Sequence, residues 1–199
     1  MLQDLVIVLQ WWLGIFVVGV AALPLSRKIF SSWHDQGYLF AKALGLALIT
    51  YGVYLFGTLH ILPFGHLSIF SFMILIFLIG LYKKPQNRIN WKLWLVEELF
   101  FLLALVFWSW IKAHEPSIHS LEKFMDFGFT QSILNSSYFP APDMWYAGKF
   151  YINYYYFGHT AMAVLTKLTN LDLIYTFNLM LCTIFAFTLT FTLSLAYQL

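Results

Sequence analysis

Residues 173–197 read LIYTFNLMLCTIFAFTLTFTLSLAY, twenty-five positions without one charged side chain. About 20 apolar residues are enough to carry a helix across the hydrocarbon core of a bilayer. Inside lipid the backbone must satisfy its own hydrogen bonds, so a run like this one is helical. Comparable runs occupy 5–23 (ended by Pro24), 39–59 and 93–111, with a shorter run at 67–82 and a short one at 154–168. Composition agrees, since 61% of residues are hydrophobic and 10% are charged, where soluble domains carry roughly a quarter charged. The chain therefore reads as all-α, a polytopic transmembrane helical bundle of about six spans in a single membrane domain, 1–199. It stops two residues after the last apolar run without a polar tail, which predicts the N-terminal part of a longer protein.

Several classes fall away. The net charge is +2, and no basic stripe with interleaved aromatics marks a nucleic-acid surface. Cys182 is the single cysteine, so neither a disulfide framework nor a CxxC metal site can form. The N-terminus has an acid and no Lys or Arg before its apolar run, unlike a cleaved signal peptide.

Short basic loops set orientation. Arg27 and Lys28 lie in the first loop, and Lys83, Lys84, Arg88 and Lys92 in the third. Both loops are predicted to face the cytoplasm of a cell-membrane protein, with the N-terminus external. The fourth helix then delivers the 113–153 loop to the external face. Around that loop residues 114–159 read HEPSIHSLEKFMDFGFTQSILNSSYFPAPDMWYAGKFYINYYYFGH and hold four of the nine acids, Glu115, Glu122, Asp126 and Asp143. Leu121, Phe124, Met125, Phe129 and Ile133 recur at helical spacing, predicting an amphipathic helix over 120–135 that lies in the membrane interface. Glu122 and Asp126, four apart, share one side of it. Pro140 and Pro142 then impose an extended turn before Asp143.

These residues carry a resemblance. Glu97-Glu98, the E-x-x-x-D of Glu122 and Asp126, the P-x-P-D-x-W ending at Trp145, and N-Y-Y-Y-F-G from Asn153 followed by His159 resemble the YYY-motif uncharacterised multi-pass membrane proteins. The architecture of that family is similar to that of GT-C class glycosyltransferases. The resemblance implies an integral membrane glycosyltransferase that takes sugar from a polyprenyl-phosphate donor and keeps an acid in a large external loop. Two other readings stay open: a lipid or sugar carrier (a flippase), and a non-catalytic scaffold.

Under the enzymatic reading, Asp126 or Glu122 is the base that accepts the proton of the incoming hydroxyl. Asp143, beside Trp145, binds an acceptor hydroxyl or joins Glu122 and Asp126 around a divalent cation; the alternative for Asp143 is an Asx turn. Lys149 and His159 are candidates for a lipid phosphate, against a snorkelling lysine and a histidine satisfied by backbone. Tyr154, Tyr155 and Tyr156 form an interfacial belt; were they helical, they would spread over about 200°. At least one would then point inward, to line the site or satisfy Asn153. Glu97 and Glu98 are expected to pair structurally with Arg27 or Lys42, because intramembrane acids are costly alone.

Overall fold

The computed structural model describes residues 2–82, 90–145, 148 and 150–198. Among these residues the chain forms seven helices and no strand: α1 (Leu2–Ile29), α2 (Tyr38–Thr58), α3 (His66–Leu81), α4 (Trp91–Ala113), α5 (Leu121–Asn135), α6 (Phe157–Thr169) and α7 (Leu173–Gln198). Four of them, α1, α2, α4 and α7, are long and apolar enough to cross a membrane. The six runs read from sequence thus resolve into four such helices and two shorter ones. At 16 residues, α3 is about 24 Å long, less than the roughly 30 Å hydrocarbon core. At 13 residues, α6 is shorter still, and it begins only after the tyrosine triplet.

The helices alternate direction, which gives the bundle two ends. One end gathers the close of α1, α3 and α7 with the start of α2 and α4. There Tyr38 stacks on Trp94 at 5.0 Å, the Arg27 guanidinium lies 5.7 Å over the Trp94 ring, and His34 meets Tyr197 at 4.1 Å. The other end gathers the N-terminus, α5, α6 and the long loop. The N-terminus and the acidic loop therefore share one end. Lys83, Lys84 and Arg88 lie outside the described residues.

Local sequence explains the helix limits. Asp4 opens α1, and Arg27 and Lys28 close it, each complementing the helix dipole. Pro24 does not end α1, which continues to Ile29. Packing holds the kink-prone turn: a Cβ on Gly80 of α3 would lie 2.8 Å from the Pro24 Cβ, so only glycine lets the two helices meet there. The buried Asp35 carboxylate accepts the N–H groups of Gly37 and Leu39 at 2.9 and 3.3 Å and starts α2. Along α7, Thr183 and Thr190 return their hydroxyls to carbonyls four residues back, so both are buried with their hydroxyls satisfied. The Thr183 hydroxyl also accepts the Trp11 indole N–H at 2.8 Å.

Between these helices sits a charged cluster. Lys42 of α2, 2% exposed, places its ammonium 2.6 Å from Glu98 Oε2 of α4. The Tyr38 hydroxyl donates to the same oxygen at 2.6 Å, and the Trp12 indole N–H donates to Oε1 at 2.7 Å. The Lys42 ammonium also faces the rings of Tyr38 and Phe101 at 4.5 and 5.1 Å. Of the two partners anticipated, Lys42 takes Glu98, whereas Arg27 donates to Gln36 Oε1 at 2.9 Å. Glu97 faces His34 at 3.4 Å.

Two substitutions test this arrangement. Removing one member of a buried pair leaves an uncompensated charge and costs about 3–5 kcal/mol. Glu98→Ala is therefore expected to lower the melting temperature in detergent sharply, while Lys42→Met with Glu98→Leu recovers most of the loss. At the loop end, Phe139 donates its N–H to the Gly57 carbonyl, and its buried ring lies where a Gly57 Cβ would stand, 2.5 Å away. Gly57→Ala must push that ring out of its seat, an overpacking cost of about 1–3 kcal/mol. The expected readout is faster limited proteolysis between residues 136 and 156 with the helical circular dichroism unchanged.

Candidate functional site at the loop end of the bundle

The loop is built on α5. The amphipathic period places Phe129 and Ile133 in the core, with Met125 packed against it, while Phe124 stays 55% exposed. Phe127 turns instead toward Phe177 of α7, ring centroids 5.7 Å apart. Helix α5 thus packs on α6 and the start of α7. The sequence placed this helix to within one residue at its start.

After α5 the chain is pinned twice to the bundle. Phe64 donates its N–H to the Ser137 carbonyl at 2.7 Å, and Phe139 bonds Gly57 as above. A narrow antiparallel turn follows, with Pro142 bridged to Tyr151 and the Ile152 N–H bonded to the Ala141 carbonyl at 2.9 Å. Asp143 sits in this turn and its Oδ1 accepts the Trp145 N–H at 2.9 Å, an Asx turn. Its own N–H goes to the Phe150 carbonyl. Trp145 and Asn153 are exposed, and Lys149 lies outside the described residues.

The tyrosines do not form part of a helix. Tyr154 and Tyr155 precede α6 and Tyr156 caps it. The irregular backbone before α6 divides them: Tyr155 is exposed, Tyr154 is half-exposed and Tyr156 is buried. Tyr156 therefore does point inward, but it meets Tyr54 of α2 edge-on at 5.9 Å rather than Asn153. Burial first, and then the hydrogen bond to Tyr54, raises the Tyr156 phenol above its ordinary pKa.

Asp126 and His159 come together although 33 residues separate them. Asp126 Oδ1 lies 3.1 Å from His159 Nε2. An ionised carboxylate can only accept, so Nε2 carries the proton. Phe129 packs edge-on against the imidazole at 6.0 Å and flanks Tyr154 at 5.9 Å. His159 Nδ1 is buried without a hydrogen-bond partner. The imidazole is therefore held in place, and the group open to a ligand is the Asp126 carboxylate, whose side chain is 35% exposed.

Tyr154 completes the group. Its phenol is raised above the usual value, first by the hydrogen bond with Tyr155, then by desolvation, and further by the charges of Tyr155, Glu122 and Asp126. Glu122, Asp126, Tyr154, Tyr155 and His159 thus form one neighbourhood, whereas Asp143 and Trp145 belong to the turn. Among the described residues no three His, Cys, Asp or Glu side chains form a group able to hold a metal ion.

The sequence reading sent His159 toward phosphate and left Asp126 without a partner. The contact depends on how the loop folds back onto α6, which spacing does not encode. It also left out Trp12, Tyr38 and His34 around the buried acids. A tryptophan pair inside the first apolar run and a tyrosine one turn before Lys42 were the available signals.

Neither the curated proteins nor the solved structures contain a match to this chain. The family of uncharacterized membrane proteins DUF2298 matches it over residues 48–199, which takes in α3 to α7, most of α2 and the whole loop. With that match across more than half its length, the chain belongs to the DUF2298 family of uncharacterized membrane proteins.

Proposed function

We propose that this protein is an integral membrane glycosyltransferase of GT-C type, acting at the external face on a polyprenyl-phosphate-linked sugar. The observation that carries the reading is the Asp126–His159 pair, a half-exposed carboxylate oriented by a buried imidazole at the loop end of a membrane bundle. Asp126 would take the proton of the acceptor hydroxyl. The acceptor oxygen then forms a bond to the anomeric carbon, and the bond from that carbon to the phosphate oxygen breaks, releasing the polyprenyl phosphate. His159 acts as a positioning residue, since Nε2 is committed to Asp126 and Nδ1 is shut off. Glu122 is the second carboxylate of the neighbourhood, and Tyr154 and Tyr155 offer phenol hydroxyls and ring faces to a sugar. Asp143 is proposed to bind the acceptor hydroxyl, Lys149 the donor's phosphate, and Trp145 and Asn153 are proposed as further substrate contacts.

The external placement follows from the basic residues Arg27, Lys28 and Lys92 at the opposite end. In a Cys182→Ser background, a cysteine at exposed Ser137 is expected to react with a membrane-impermeant maleimide added outside intact cells. Labelling only after lysis would reverse the orientation.

A carrier is the second reading, favoured by Glu97, whose Oε2 is buried without a hydrogen-bond partner. One comparison separates the two. With purified protein in vesicles, Asp126→Asn should lower sugar transfer by about 10²–10⁴-fold while leaving the melting temperature unchanged. His159→Gln should lower it less, through misorientation of the base. Full turnover by Asp126→Asn would remove Asp126 as the base, and loss of lipid flux in Glu97→Gln/Glu98→Gln would favour the carrier.

A further inference from the structure

A second polar hollow opens at the loop end, about 12 Å along α6 from His159. It has a volume of about 330 Å³ and is lined by His66, Gln131, Lys167, Asn170 and Asp172 among others. Lys167 is half-buried, its ammonium 4.9 Å over the Phe64 ring. Desolvation holds that ammonium below its ordinary pKa, and no described carboxylate pairs with it. Asp172 lines the hollow but commits Oδ1 to the Ile174 N–H at 2.9 Å. His66 Nε2 bonds the Lys167 carbonyl at 2.8 Å, which ties the start of α3 to the end of α6.

Directly beside it runs an apolar groove of about 310 Å³ lined by Leu13, Val17, Phe70 and Leu168 among others. Their linings share no residue but neighbour each other along α3 and α6. His66 and Phe70 lie one turn apart on α3, and Lys167 and Leu168 are consecutive on α6. Leu13, Val17 and Phe70 are all exposed, at 52%, 39% and 46%. A cationic, polar cup near the starts of α3 and α7 thus has an apolar groove, lined by α1, α3 and α6, close by. That is the profile of an amphiphile with an anionic head and a long tail.

We infer that this paired hollow is a binding site for an anionic phospholipid of the surrounding bilayer. The phosphate sits against the Lys167 ammonium, with one acyl chain along Leu13, Val17 and Phe70. An incoming phosphate oxygen supplies the negative partner that Lys167 lacks, and hydrogen bonds to charged groups are the strong ones. The site is independent of glycosyl transfer, because it uses neither Asp126 nor His159.

Native mass spectrometry of the purified chain, offered equal phosphatidylglycerol and phosphatidylcholine, tests it. The wild type should retain one phosphatidylglycerol in preference. Lys167→Met should weaken that retention about tenfold, Lys167→Arg should keep it, and Asp126→Asn should bind as the wild type does. Leu13→Trp, which fills the groove, should lower retention of both lipids, and His66→Ala should reduce the preference. If Lys167→Met fails to fold, His66→Ala and Leu13→Trp decide the matter. Equal retention of the two lipids by the wild type, wild-type behaviour of Lys167→Met, His66→Ala and Leu13→Trp, or displacement of phosphatidylglycerol by an equal amount of polyprenyl phosphate would overturn the assignment.

Discussion

The 2.6 Å contact between Lys42 and Glu98 is the interaction on which the arrangement of this bundle depends. Two opposite charges with almost no access to water cannot remain separate. Desolvating either one alone costs several kcal/mol, so each must end beside the other. Lys42 belongs to α2 and Glu98 to α4, and the Trp12 bond from α1 reaches the same carboxylate. Three helices are thereby set in one rotation and one vertical register. Apolar packing alone is less selective, because lipid tails compete with Leu and Ile side chains for the same surface. Both Glu98 oxygens and the Lys42 ammonium are partnered, so the cluster is matched as well as neutral.

The loop end is organised differently. Its anchors are backbone hydrogen bonds and close ring contacts: Phe64 to Ser137, Phe139 to Gly57, and Tyr156 against Tyr54. The loop is pinned at residues 137–139 and again at 156, and the Pro142 carbonyl between them accepts the Ser132 hydroxyl of α5. The Asp126–His159 pair forms where α5 meets the start of α6, at the rim of that platform. The bundle thus carries a partly exposed carboxylate at its loop end. The proposed phospholipid hollow lies farther along the same α6, so both sites depend on how that short helix is seated.

Much was legible from particular residues. The uninterrupted run at 173–197 required a helix, and α7 covers it. The 3.6-residue spacing of Leu121, Phe124, Met125, Phe129 and Ile133 gave α5 nearly to the residue. The four apolar runs that precede the loop gave the sharing of one bundle end by the N-terminus and the acids. Other features depended on packing. Pro24 is tolerated because Gly80 leaves room beside it, and a proline rule applied to α1 alone misses that. The tyrosine triplet lies outside α6 because Tyr156 is drawn to Tyr54 and its carbonyl accepts the Thr160 N–H, starting the helix after the aromatic block. Helix length alone separates α3 from the four long helices, whereas α6 is both shorter and less apolar.

The sequence by itself determined the solvent, much of the secondary structure and where acids gather: apolar runs too long for a soluble fold, one amphipathic helix, and four of the nine acids in one loop. Those are properties of consecutive residues, readable from period and composition. Only the tertiary structure decided the partners: Lys42 with Glu98 across 56 positions, and Asp126 with His159 across 33. A charge leaving water needs a counter-charge at hydrogen-bond distance, and many pairings satisfy that need on paper. Which one forms depends on how helices rotate and how a loop folds back, and those follow from all the contacts at once.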